Sequence, residues 1–152
     1  MPRPTKGEVS IQVDAPPERV YGLVAELTRM GQWSPECYRV DWVGGASGPA
    51  VGAEFTGHNR VGPYRWSVPG KVVTAEPGRE FAFTTYAGGR ESTRWRYRFE
   101  PSNTGTAVTE SYEFVWAGLF VRLSNLFMPR DRILQRGMRE TLGRIKTAAE
   151  AA

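Results

Sequence analysis

The chain has 152 residues, 40% of them hydrophobic, with 20 Lys+Arg against 16 Asp+Glu and a single Cys and His. That composition excludes a disordered chain, and the length suits one domain, 1–152, burying roughly 68–70% of its unfolded surface. Cys37 alone makes no internal disulfide, and Cys37 with His58 is too few ligands for a usual zinc site, so no metal or other cofactor is expected; a carboxylate-only magnesium or calcium site stays open.

Residues 1–8 carry charge and proline without an apolar leader, and no stretch approaches the roughly 18 apolar residues of a membrane span. A soluble, cytoplasmic protein with no integral membrane association is expected. Residues 8–13 alternate polar and apolar, the period of a half-buried strand. Asp14 then offers an N-cap, Pro16 and Pro17 suit first helical positions, and Val20, Leu23, Val24 and Leu27 recur at helical spacing. Residues 28–33 extend this short helix into a second turn or loop.

From 37 to 115 the spacing predicts strands near 37–44, 52–60, 64–75, 79–87, 92–100 and 106–115, separated by Gly, Pro and Asn clusters short enough to imply antiparallel neighbours. Pro69 and Gly70 inside the third of these predict a bulge or an edge position. Phe120, Leu123, Phe127, Leu134, Met138, Leu142, Ile145 and Ala149 then form one stripe along a helix over 118–150, kinked near Met128 by Pro129. Asp131 falls beside that break, where a capping role is expected. The fold class is α+β: a curved six- to seven-stranded antiparallel sheet wrapped around a long C-terminal helix, with short helices after the first strand. Such a sheet and helix leave a cavity between them.

Alternation assigns the cavity wall. Trp95, Tyr97 and Phe99 point in while Arg94, Arg96 and Arg98 point out; Phe81, Phe83 and Thr85 point in, as do Phe55, Gly57 and Asn59, with His58 outside. Tyr64, Trp66 and Val68 go together. Val108, Glu110, Tyr112 and Phe114 share one face, so Glu110 lies among apolar neighbours. A carboxylate there must be paired, hydrogen-bonded or protonated. Glu110 is either tied to Asn59, Trp66 or an arginine in a structural network or, with a raised pKa, a general acid or base. Asn59 either orients a ligand or joins strands as a satisfied interior amide. The outer arginines read as a solvated face, so nucleic acid is disfavoured as a partner. His58 with Cys37 makes only a weak case for a hydrolase, since His58 faces outward.

These residues resemble a known superfamily. Val-Asp-Ala-Pro-Pro-Glu-Arg-Val-Tyr (13–21), Trp33-Ser34-Pro35-Glu36, Gly52-Ala53-Glu54-Phe55, Gly57-His58-Asn59-Arg60, Trp66, Glu76-Pro77-Gly78-Arg79, Trp95-Arg96-Tyr97 and residues 105–110 are similar to SRPBCC (START-like, birch-pollen-allergen-like helix-grip) proteins of the polyketide cyclase/dehydrase and lipid transport branch. The resemblance implies a START-like ligand-binding domain with a hydrophobic cavity, and it places Trp33 and Glu36 at an entrance or, equally, in a cap on the sheet edge.

The leading expectation is binding, transport or sequestration of a hydrophobic small molecule such as a lipid or polyketide. Trp33, Glu36, Phe55, Asn59, Tyr64, Trp66, Phe83, Trp95, Tyr97, Tyr112 and Met138 are the candidate ligand-binding residues. The first alternative is a cofactor-free polyketide cyclase/aromatase or dehydrase with Glu110 as general acid/base. A second is a co-chaperone-like interaction module working through the outer basic face. The sequence leaves ligand identity and oligomeric state open.

Overall fold

The computed structural model describes residues 6–116 and 130–151. Seven described strands form one antiparallel sheet: β1 (Lys6–Val13), β2 (Cys37–Val43), β3 (Glu54–Val61), β4 (Tyr64–Glu76), β5 (Glu80–Ala87), β6 (Arg90–Pro101) and β7 (Thr106–Phe114). Their spatial order is β1-β7-β6-β5-β4-β3-β2, a meander from β2 to β7 that β1 completes by pairing with β7. Tight turns make this order possible. Gly88 (φ 60) and Gly89 (φ 77) both take the positive φ that a two-residue hairpin between β5 and β6 demands.

Helix α1 (Pro17–Ala25), a 3-10 turn (Leu27–Arg29) and α2 (Met30–Trp33) connect β1 to β2. The capping expectation at Asp14 is corrected. Pro16 occupies the N-cap in extended geometry, with Pro17 at the first helical position, while the Asp14 amide donates 2.8 Å to Glu150 Oε2. Proline at the first helical position forfeits no hydrogen bond, so the helix starts without a side-chain cap.

Of the two alternatives expected at Pro69 and Gly70, the edge position holds locally at Pro69 and the bulge does not. β4 lies inside the sheet, and its register shift falls between Val72 and Thr74 instead. Pro69 is tolerated because β5 pairs with β4 only from Gly70 onward, so Pro69 faces β3 alone. Gly70 has a packing reason. A Cβ there would run into the ring of Phe55, its cross-strand partner.

The long helix α3 (Arg130–Glu150) buries Leu134, Met138, Leu142, Ile145 and Ala149. The expected segment 118–129, with Phe120, Leu123, Phe127 and the kink near Met128, lies outside the described residues. The two ends of α3 differ. Its C-terminal half packs Leu142, Ile145 and Ala149 into the main core with Val13, Val20, Val24, Phe81 and Phe99. Arg19 fixes that end by donating to Ala149 O at 2.7 Å and Ala151 O at 2.6 Å, satisfying orphan carbonyls at the negative pole of the helix. Its N-terminal half stands over the sheet and borders open space. No described helix is long and apolar enough to cross a membrane.

Candidate functional site

The space between α3 and the sheet is a cavity of about 1260 Å³, lined among the described residues by β2 to β7, by Leu27 and Met30, and by Ile133, Leu134, Gly137 and Met138 of α3. This exceeds the roughly 300–1,000 Å³ of most small-molecule sites. Its wall is a relay of rings. Phe55 meets Phe83 edge-on at 5.4 Å, Phe83 stacks on Trp95 at 6.4 Å, and Trp95 contacts Tyr112 at 5.9 Å. Phe83 and Trp95, like Trp95 and Tyr112, are cross-strand partners on adjacent strands, while Phe55 on β3 reaches Phe83 on β5 across Gly70 of β4.

Glu36, Phe55, Asn59, Tyr64, Trp66, Phe83, Trp95, Tyr97, Glu110 and Met138 all border the cavity. Trp33 and Tyr112 do not. Trp33 is buried in the main core with Arg29 stacked over it at 5.1 Å, and Tyr112 packs behind Trp95 against Leu134 and Met138. Tyr64 is 72% exposed and marks the rim at the β3–β4 turn.

Glu110 is 4% exposed. Its Oε2 accepts a 2.8 Å hydrogen bond from the Tyr97 hydroxyl, and its Oε1 is buried without a hydrogen-bond partner. Tyr97 thus takes the place that the sequence offered to Asn59, Trp66 or an arginine. The two residues are cross-strand partners on one face of β6 and β7, which brings phenol and carboxyl together. Burial pushes the Glu110 carboxyl up to about 8, against a smaller downward pull from the Tyr97 hydroxyl. Burial, and the Glu110 charge next, raise the Tyr97 phenol well above its ordinary value. The pair can therefore hold a proton at neutral pH inside an apolar wall. The Cys37 thiol also borders the cavity, pushed up to about 11 mainly by burial.

At the rim, Arg130 grips Glu36 with both guanidinium nitrogens, Nη1 to Oε1 at 2.6 Å and Nη2 to Oε2 at 2.8 Å, and sits 5.9 Å above the Trp66 ring. Sequence reasoning passed over Arg130. Its partner is 94 residues away, so no local pattern could flag it. The clamp ties the start of α3 to the segment ahead of β2.

The convex face carries a different cluster. His58 Nδ1 lies 2.9 Å from Ser67 Oγ and His58 Nε2 3.1 Å from Asp41 Oδ2, while Arg39 Nε donates to Asp41 at 3.0 Å. Cys37, on the cavity side, takes no part. This line of side chains joins β2, β3 and β4 across an exposed surface, where water competes with any bound substrate. Three of the four arginines of β6 face a glutamate, Arg94 with Glu91 at 2.5 Å, Arg96 with Glu80 at 3.5 Å and Arg98 with Glu8 at 3.4 Å, while Arg90 lies over the Trp116 ring at 4.6 Å.

The sequence profile described as "Polyketide cyclase / dehydrase and lipid transport" matches residues 4–150. The Polyketide_cyc-like protein Cgl2372 from Corynebacterium glutamicum is 35% identical, with a TM-score of 0.59 over 96% of this chain and 91% of that one. The Zhui aromatase/cyclase from Streptomyces sp. R1128 has a TM-score of 0.76 at 14% identity, over 95% of this chain and 93% of that one. Protein CV1439 from Chromobacterium violaceum gives 0.73 at 16% identity, over 98% and 100%. No curated protein sequence matches. With a profile spanning nearly the whole chain and the helix-grip architecture in place, the chain belongs to the polyketide cyclase/dehydrase and lipid transport family.

Proposed function

We infer that the protein binds a hydrophobic small molecule of lipid or polyketide type between α3 and the sheet. The observation that carries this reading is the cavity of about 1260 Å³ walled by Phe55, Trp66, Phe83 and Trp95, with one buried carboxyl. Affinity then comes mainly from apolar burial, at roughly 25 cal/mol per Å² before ordering costs. Asn59 supplies a further polar contact on the wall, since its carboxamide makes no hydrogen bond among the described residues. The test is titration with the neutral fluorophore N-phenylnaphthylamine. Saturable binding at one probe per chain is expected; a folded protein that gives no saturable signal overturns the reading.

A second reading, a cofactor-free cyclase or dehydrase, is favoured by the Tyr97–Glu110 pair. A carboxyl raised to about 8 is largely protonated at neutral pH and suits a general acid, protonating a carbonyl or a departing hydroxyl. The aromatase/cyclase activity named for the Streptomyces neighbour makes this a chemistry to test. Glu110→Gln separates the two readings, because it removes proton transfer and leaves probe binding in place.

A further inference from the structure

We propose that the protein docks the mouth of its cavity onto an anionic phospholipid bilayer, through Tyr64 and the guanidinium groups of Arg60, Arg65, Arg132 and Arg136. These five side chains all border the cavity, from the β3–β4 hairpin on one side and the first half of α3 on the other. Tyr64 is 72% exposed, more than any other large hydrophobic side chain among the described residues. The turn beside it, Gly62-Pro63, carries no charge.

The charge around Tyr64 has one sign. Arg60 and Arg65 stand directly opposite each other in the β3–β4 ladder, a like-charge pairing that costs stability until an anion sits against it. All four arginines are exposed, and none has an ion-pair partner among the described residues. Both glutamates at the mouth are already engaged, Glu36 with Arg130 and Glu140 with Arg144. Residues 117–129, which precede α3 in the chain, contain no Asp or Glu. A positive rim with an exposed phenol matches a bilayer interface, where arginines meet lipid phosphates and a tyrosine ring sits at headgroup depth. Nucleic acid fits less well. Bases need free rings to stack on, and the Tyr38 ring at this edge already carries Arg60 at 5.2 Å and Arg65 at 5.8 Å. Docking does not depend on what the cavity holds, so it stands or falls apart from the binding reading.

The experiment is cosedimentation of the full chain with vesicles of phosphatidylcholine, alone or mixed with phosphatidylglycerol, at rising salt. Binding to the mixed vesicles, little to the neutral ones and a decline with salt are expected. Arg60→Gln with Arg65→Gln is expected to lower the partition coefficient about tenfold or more, and Arg132→Gln with Arg136→Gln by a similar factor. Tyr64→Ser lowers it several-fold and leaves the salt dependence unchanged. Arg94→Gln with Arg96→Gln, which removes the same charge from the convex face, keeps wild-type partitioning. All the substituted side chains are exposed, and circular dichroism checks that each variant is folded. A folded wild type that stays in the supernatant with phosphatidylglycerol vesicles overturns the proposal. So does an equal loss in the Arg94 and Arg96 variant, which would make net charge alone the cause. Retention by the soluble polyanion dextran sulfate, with vesicle binding unaffected by Tyr64→Ser, would assign the edge to a soluble acidic partner and overturn it as well.

Discussion

Glu110 makes the protein's stability depend on pH in a direction opposite to that of most acidic residues. Its carboxyl titrates near 8 when folded, against an ordinary value of 4.5. Between those two values the native state holds a proton that the unfolded chain has released. Stability from this group is therefore full below about pH 4.5 and declines as pH rises toward 8, at about 1.4 kcal/mol per pH unit, then levels off. Glu110→Gln removes the titration while its carbonyl oxygen still accepts from Tyr97. Urea denaturation should show the variant about 2 kcal/mol or more ahead of wild type at pH 8, with the gap closing toward pH 5. Parallel curves for the two proteins would contradict the buried, neutral carboxyl. This residue was legible in the sequence because a strand has period two: Val108, Glu110, Tyr112 and Phe114 fall on one face whatever the rest of the fold does. Its partner was not legible, since the register of β6 against β7 decides which inward phenol it meets.

At the scale of elements, two glycines in neighbouring strands separate cavity from core. A Cβ on Gly57 would meet Val68 Cγ2 at 3.5 Å, an ordinary contact, with the cavity beyond it. Gly70 has no such room because the Phe55 ring lies across it. Gly57→Leu is expected to leave the unfolding midpoint unchanged or raised while abolishing N-phenylnaphthylamine binding. Gly70→Ala is expected to cost about 2 kcal/mol through overpacking. Equal destabilisation by both would mean that Gly57 borders packed core. The strands themselves were readable from alternation and turn residues. The position of the register shift was not: Pro69 and Gly70 drew attention to themselves, yet the shift beside Val73 is set by how β4 accommodates β5 on one side and β3 on the other. Asp14 was misread for a similar reason, because the fixed φ of Pro16 already supplies the helix entry and frees the Asp14 amide for Glu150.

For the whole molecule, the two faces of the sheet do different work. The convex face pairs Arg94, Arg96 and Arg98 with glutamates, so those three side chains already have carboxylate partners on the surface. The concave face concentrates the aromatic rings and the one buried carboxyl. How far α3 stands off the sheet determines which inward side chains see a ligand, and no periodicity reports that distance. Tyr112 therefore reads as a wall residue in the sequence and is packed behind the wall in the fold, and Trp33, expected at an entrance or in a cap on the sheet edge, lies in the main core. Arg130 was invisible for the complementary reason, since its clamp on Glu36 exists only once α3 has folded back over the strands. The most direct test of the central claim is nuclear magnetic resonance mapping of amide shifts on saturation with acetylnaphthalene. The account predicts shifts gathered at Asn59, Trp66, Phe83, Tyr97 and Glu110, with Thr56, His58, Ser67 and Arg96 unmoved; shifts centred on those convex-face residues, with the concave face silent, would contradict it.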